Sequence, residues 1–154
     1  MAASNARGSF GAIFACSTVA TSAAVLTGIN VVGEILTITA PTYTANTIDV
    51  TNQNTTDYFK EFVVGVRDAG SLSITANYIS SSSGHTDKIP NAFYNGSKLA
   101  WKIALAQNAA SSMSVWYGYG YITSYQVSSP PDGAVTFAAT IKITGKPVGP
   151  ADTT

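Results

Sequence analysis

The chain has 154 residues, enough for one domain with a sizeable core and too few for two comfortable ones. Eight Lys plus Arg balance eight Asp plus Glu, scattered singly, so no basic patch for tight nucleic-acid binding is encoded. Only 10% of the residues are charged, while 17 Ser and 19 Thr supply the polarity; a surface so poor in charge is expected to meet copies of itself.

Residues 9–16 (SFGAIFAC) are apolar and follow Arg7, as in a short signal peptide, but Ser17 and Thr18 interrupt the run, and it reads as a first strand. Cys16 excludes an internal disulfide and reads as a small core residue. Residues 17–28 read as a loose connection. In residues 31–39 (VVGEILTIT), Leu36 and Ile38 fall on one face and Ile35, Thr37 and Thr39 on the other, a strand that Pro41 ends. The next strand, Thr47-Ile48-Asp49-Val50-Thr51, points Ile48 and Val50 inward.

About twenty residues then separate this strand from the next alternating run, too many for an ordinary loop. They carry Tyr58, Phe59, Phe62, Val63, Val64 and Val66, which a disordered linker has no reason to display, so residues 51–69 read as a long arm that packs on something. Asp57 to Phe62 fits a single helical turn, and Gly70 serves the bend into the following strand by adopting a positive φ.

In residues 71–78, Leu72, Ile74, Ala76 and Tyr78 alternate with polar partners. A serine-rich connection at 80–84 leads to a short helix over residues 88–95, with Asp87 as N-cap, Pro90 in the first turn, Gly96 as the stop and Ile89, Ala92 and Phe93 as the buried stripe. Three strands follow: residues 99–106, with Trp101, Ile103 and Leu105 on one face; 113–127; and 134–144, with Val135, Phe137, Ala139, Ile141 and Ile143 on one face. Residues 108–111 and the Pro130-Pro131-Asp132-Gly133 breaker are the turns between them. In the middle strand Tyr117, Tyr119, Tyr121 and Tyr125 share a face opposite Gly118 and Gly120, glycines that mark a bend or a close approach of another backbone. Residues 148–154 read as a loose tail.

Site chemistry is sparse. His85, the one histidine, reads as a surface loop residue, Asp49, Asp57, Asp68, Asp87 and Asp132 are isolated turn or cap residues, and no phosphate loop or metal motif is present. The residues call for no catalysis, cofactor or metal. The tyrosine face with its tryptophans sustains an alternative reading as a glycan-binding module, since aromatic rings stack on sugars.

The chain resembles the major tail tube proteins of long, non-contractile-tailed bacteriophages. The resemblance rests on Ile38-Thr39-Ala40-Pro41, the Thr47 to Thr51 strand, the passage FVVGVRDAG ending at Gly70, the strand SLSITANY and the closing run YGYITSYQVSSPPDGAVTFAATIKITGKP, in that order and over roughly residues 28–148. It implies a mainly β domain, a β-sandwich or partly closed barrel with one flanking α-helix and a long inter-strand arm. It implies hexameric rings stacked into a hollow tube, a tape-measure protein inside during assembly, tail terminator and tail-tip proteins as partners, and DNA passing through the lumen without specific binding. Virion location after synthesis in the host cytoplasm, with no membrane anchor and no second immunoglobulin-like domain, belongs to the same expectation. Under the resemblance the arm supplies inter-subunit or inter-ring contacts, through Asn52, Asn54, Tyr58, Phe59, Lys60, Phe62, Arg67 and Asp68. Residues 1–27 match least.

Overall fold

In the computed structural model the described residues are 12–17, 31–32, 34–54, 57–79, 85–105 and 114–149. The expectations for most of the 17–28 connection, the serine run 80–84, the turn at 108–111 and the tail beyond residue 149 lie outside the described residues, whereas Asp87, expected as an N-cap, falls inside the helix, which begins two residues earlier at His85. Among the described residues nine strands and one helix follow in chain order: β1 (Ile13–Ser17), β2 (Val31–Val32), β3 (Ile35–Thr39), β4 (Thr44–Asp49), β5 (Phe62–Asp68), β6 (Ser71–Asn77), α1 (His85–Tyr94), β7 (Leu99–Leu105), β8 (Ser114–Ser128) and β9 (Thr136–Val148).

Seven strands form one antiparallel sheet in the order β2-β1-β7-β8-β9-β6-β3, while β4 and β5 form a separate two-stranded sheet among the described residues. The two edge strands, β2 and β3, are neighbours in the chain, and Glu34 between them turns the backbone at φ 52°. Strands that close in sequence can occupy opposite edges only if the sheet curls until its edges approach, which gives the partly closed barrel. The expected fold class, mainly β with one flanking helix, is therefore found.

The concave side of the curl holds the core. Phe14 and Cys16 from β1, Leu72, Ile74 and Ala76 from β6, Leu99, Trp101 and Ile103 from β7, and Phe137, Ala139, Ile141 and Ile143 from β9 make one buried cluster. Strict alternation on β6, β7 and β9 places these side chains, each large one contributing roughly 1.5–3 kcal/mol by leaving water. Helix α1 adds Ile89 and Ala92 to the same cluster. It ends in a Schellman motif, with Gly96 at φ 59° and the N–H groups of Gly96 and Ser97 donating to the carbonyls of Phe93 and Ala92.

Several expectations need correction. The 31–39 strand is two strands, split at Glu34, and a bulge between Ile35 and Thr37 sends Leu36 to solvent while Ile35 and Ile38 join the core. The helix starts earlier than expected, so His85 opens it instead of lying in a loop, and Pro90 sits in its interior, where no N–H is available to the preceding turn. Phe93 is 41% exposed and leaves the buried stripe. The last strand runs on to Val148, bent at Gly145 with φ 77°.

Of the two expectations for the glycines of β8, the close approach is the one found. A Cβ on Gly120 would stand 2.6 Å from both Ile141 Cγ2 and the Lys142 carbonyl oxygen, and one on Gly118 would meet the Trp101 ring at 3.1 Å. The tyrosine face does not survive intact. A register shift between Ile122 and Ser124 turns the strand over, so Tyr125 packs on the core beside Phe137, ring centroids 6.0 Å apart, while Tyr117 and Tyr119 pack with Ala15 and Ala100 on the other face. Trp101 is fully buried. The tyrosine face expected to stack on a sugar is thus broken at Tyr125.

Candidate assembly interface

The stretch expected as an unpaired arm is the distal half of one long hairpin. Strands β3 and β6 pair within the barrel, and their continuations β4 and β5 pair beyond it, with Thr44 opposite Asp68, Ala45 opposite Arg67, Thr47 opposite Val64 and Asp49 opposite Phe62. The run Phe62 to Val66 is dominated by β-branched residues and takes the extended form, so the single helical turn over residues 57–62 is not made and Tyr58 instead adopts φ 58°. What projects is a two-stranded ribbon with a loop at its tip.

Among the described residues the ribbon has no apolar cover. Successive side chains point to opposite faces, yet Ile48, Phe62, Val63 and Val64 are each more than half exposed and Val66 is 84% exposed. At the tip Tyr58 is 99% and Phe59 77% exposed. Ile48 and Val50, expected to point inward, are exposed because the core of this domain lies elsewhere. An isolated two-stranded hairpin is marginal in water, and contiguous exposed apolar side chains mark interaction surfaces.

Local hydrogen bonds shape both ends. At the base of the tip loop the Val50 N–H donates to the Glu61 carbonyl at 2.9 Å, and the Glu61 N–H donates to Thr51 Oγ1 at 3.0 Å. Asp49 Oδ1 accepts from the Thr51 hydroxyl and from its N–H at 3.0 Å, and Lys60 Nζ lies 3.8 Å from Asp49 Oδ2. The Thr51 hydroxyl, then its N–H, hold the Asp49 carboxyl below its usual 3.8. Asn52 Oδ1 accepts from the Asn54 N–H at 2.8 Å, an Asx turn.

At the root, Asp68 Oδ1 accepts from the Gly70 N–H at 2.8 Å, and Lys142 Nζ on β9 donates to Oδ1 at 2.8 Å and Oδ2 at 2.6 Å. Lys142, and after it the Gly70 N–H, pull the Asp68 carboxyl below its usual 3.8.

Of the eight residues singled out from the sequence, Asn52, Asn54, Tyr58, Phe59, Lys60 and Phe62 gather at the tip, while Arg67 and Asp68 lie at the root, a ribbon's length away. Sequence reasoning left Ile48 out of the surface and Lys142 out of the root. The signal for Ile48 was its place opposite Val63 in a pair of β-branched runs; Lys142 carries no local signal, since it meets Asp68 only through the fold. Among the described residues no group of three His, Cys, Asp or Glu side chains could hold a metal ion, and no helix is long and apolar enough to cross a membrane.

The fold is thus a partly closed β barrel with one helix and a projecting two-stranded ribbon whose apolar side chains are exposed. The model of the phage tail tube protein family matches residues 31–149, and the chain belongs to that family, whose members are structural components of tail tubes. Its fold is similar to that of the subunit in the tail of an empty gene transfer agent particle, solved with helical refinement and C6 symmetry (14% identity, TM-score 0.67, covering 94% of this chain and 98% of that one). It is also similar to the SPP1 tail tube subunit (14% identity, TM-score 0.63, 90% of this chain and 75% of that one). A third likeness is to a chain of the PVC extracellular contractile injection system's sheath/tube terminator in its extended state (11% identity, TM-score 0.68, 96% and 99%). No match was found among curated protein sequences.

Proposed function

We propose that copies of this chain form hexameric rings that stack into the tail tube of a long, non-contractile-tailed phage, and that the ribbon of β4 and β5 is the arm by which one subunit grips another. The observation that carries this reading is the exposure of apolar side chains on both faces of the ribbon. Another copy, present in equal number throughout a tube, supplies a cover for such a surface in every subunit.

The ribbon's outer edges also offer unpaired N–H and C=O groups for strand addition. Low charge supports strand pairing between chains, because no unpaired ion is desolvated when surfaces close. Net neutrality suits a lumen through which DNA slides, since each phosphate contact would add affinity and drag. In this reading a tape-measure protein occupies the lumen during assembly, terminator and tip proteins close the ends, and the subunits are made in the host cytoplasm.

Negative-stain electron microscopy of the purified protein tests the proposal. Hollow tubes or six-fold rings are expected; monodisperse particles the size of one 15.9 kDa chain at all concentrations contradict it.

A further inference from the structure

The ribbon leaves the barrel at a junction held from two sides. Asp68 ends β5, and its carboxylate is bound by Lys142 Nζ at 2.8 and 2.6 Å while it also caps the Gly70 N–H. The Gly70 carbonyl in turn accepts from the Ile143 N–H at 3.0 Å. The chain passing from ribbon to barrel is thus fastened to two successive residues of β9, once by a side chain and once by backbone. On the companion strand the bend between β3 and β4 packs Thr42 against Gly70, so the backbone there has little room to shift.

The ion pair is about half open to water, with side chains 47% and 54% exposed. Exposed pairs of this kind change a folding equilibrium by a factor of about five or less. Its leverage on geometry is far larger. A six-residue strand spans roughly 20 Å, so a swing of about 20° at the root moves the tip by about 7 Å. Packed interfaces tolerate no such displacement.

We propose that Asp68 and Lys142 form a positioning latch that sets the direction in which the ribbon leaves the barrel, so that each subunit presents its tip in the one orientation a neighbour accepts. This rests on the reading of the ribbon as the assembly arm. The latch contributes little to folding and much to assembly. Arg67, opposite Ala45 on the ribbon, is the charged neighbour in sequence, and another ion pair, Lys60 with Asp49, lies at the far end of the ribbon.

The test measures the ribbon's direction in the unassembled full chain, independently of tube growth. Spin labels at Thr47→Cys on β4 and Ala138→Cys on β9 report the ribbon-to-barrel distance, with Cys16 replaced by Ala. The parent is expected to give one narrow distribution. Lys142→Met and Asp68→Asn are expected to broaden or shift it while leaving the unfolding midpoint nearly unchanged, and Lys142→Arg to restore it, because a guanidinium can bind both carboxylate oxygens. Asp68→Asn keeps an oxygen for the Gly70 N–H and so isolates the contact with Lys142. Unchanged distributions in both variants overturn the latch, even if the parent protein forms tubes. If the distributions broaden but the parent never assembles, the latch stands and the assembly reading falls.

Discussion

Gly70 lies so close to Thr42 that a Cβ placed on it would stand 2.3 Å from the Thr42 carbonyl oxygen, and its φ of 73° is one that side chains resist. Gly70→Ala therefore meets two penalties. The left-handed backbone costs about 1–2 kcal/mol and the contact forces the bend open, so urea unfolding should show a loss above about 2 kcal/mol. Gly96, at φ 59° with open space around it, separates the two effects: Gly96→Ala should cost only about 1 kcal/mol. Equal losses at both sites would show that the contact with Thr42 has no energetic weight.

Cys16 is enclosed by the core, and burial pushes its thiol up to about 12 from 9.0. The neutral thiol is the folded form, while the unfolded chain ionises above pH 9.0. Stability is accordingly intact below that value and declines between pH 9.0 and about 12, by on the order of 4 kcal/mol relative to Cys16→Ala. Unfolding curves of the two proteins across this range check it, and iodoacetamide should leave the native thiol unmodified at pH 8.

The Trp101 indole N–H is buried with no hydrogen-bond partner among the described residues. An unsatisfied donor costs about 1–3 kcal/mol, comparable to the loss from removing part of the ring. Trp101→Phe should thus change stability by less than about 1 kcal/mol, where Trp101→Ala should lose 3–5 kcal/mol or so. Calorimetric melting of the two variants compares them directly.

Asp49 and Asp68 both have carboxyls held below 3.8 by the hydrogen bonds and Lys142 contact described above. A carboxyl lowered in the folded state stabilises the fold above 3.8, and that contribution disappears as pH falls through the lower folded value. Carbon-13 titration of the side-chain carboxyls should give midpoints beneath 3.8 for both. In Lys142→Met the Asp68 midpoint should rise toward 3.8 while that of Asp49 stays in place.

Where alternation was unbroken, the sequence disclosed the structure: β6, β7 and β9 present the expected core faces because every second residue is apolar over their length. Bulges defeated the same reasoning. A one-residue slip at Ile122 and Ser124 moved Tyr125 from the outer face to the core, and another beside Ile35 exposed Leu36, because a period of two reverses wherever one residue is added. The ribbon was misjudged for a different reason. The length of the 51–69 connection, too great for an ordinary loop, reads as an arm, and the β-branched run Phe62 to Val66 within it pairs with β4 and so extends a hairpin. Lys142 meets Asp68 from 74 residues away, beyond the reach of any local pattern.

The ribbon's contribution to assembly can be separated from its contribution to folding. Replacing residues 52–60 with Asn-Gly keeps the Val50 and Glu61 pairing and closes the hairpin with a short turn. The variant should unfold at the parent's urea midpoint and form no tubes.

The most direct test of the central claim places a photo-crosslinking benzoylphenylalanine at Phe59, 77% exposed at the ribbon tip, and irradiates the assembled protein. Covalent dimers and higher multimers of this chain, with the crosslink mapped to the barrel or ribbon of a second copy, are the expected result. Assembled material in which Phe59 crosslinks only within its own chain, or not at all, would contradict the claim that one copy covers the ribbon of another.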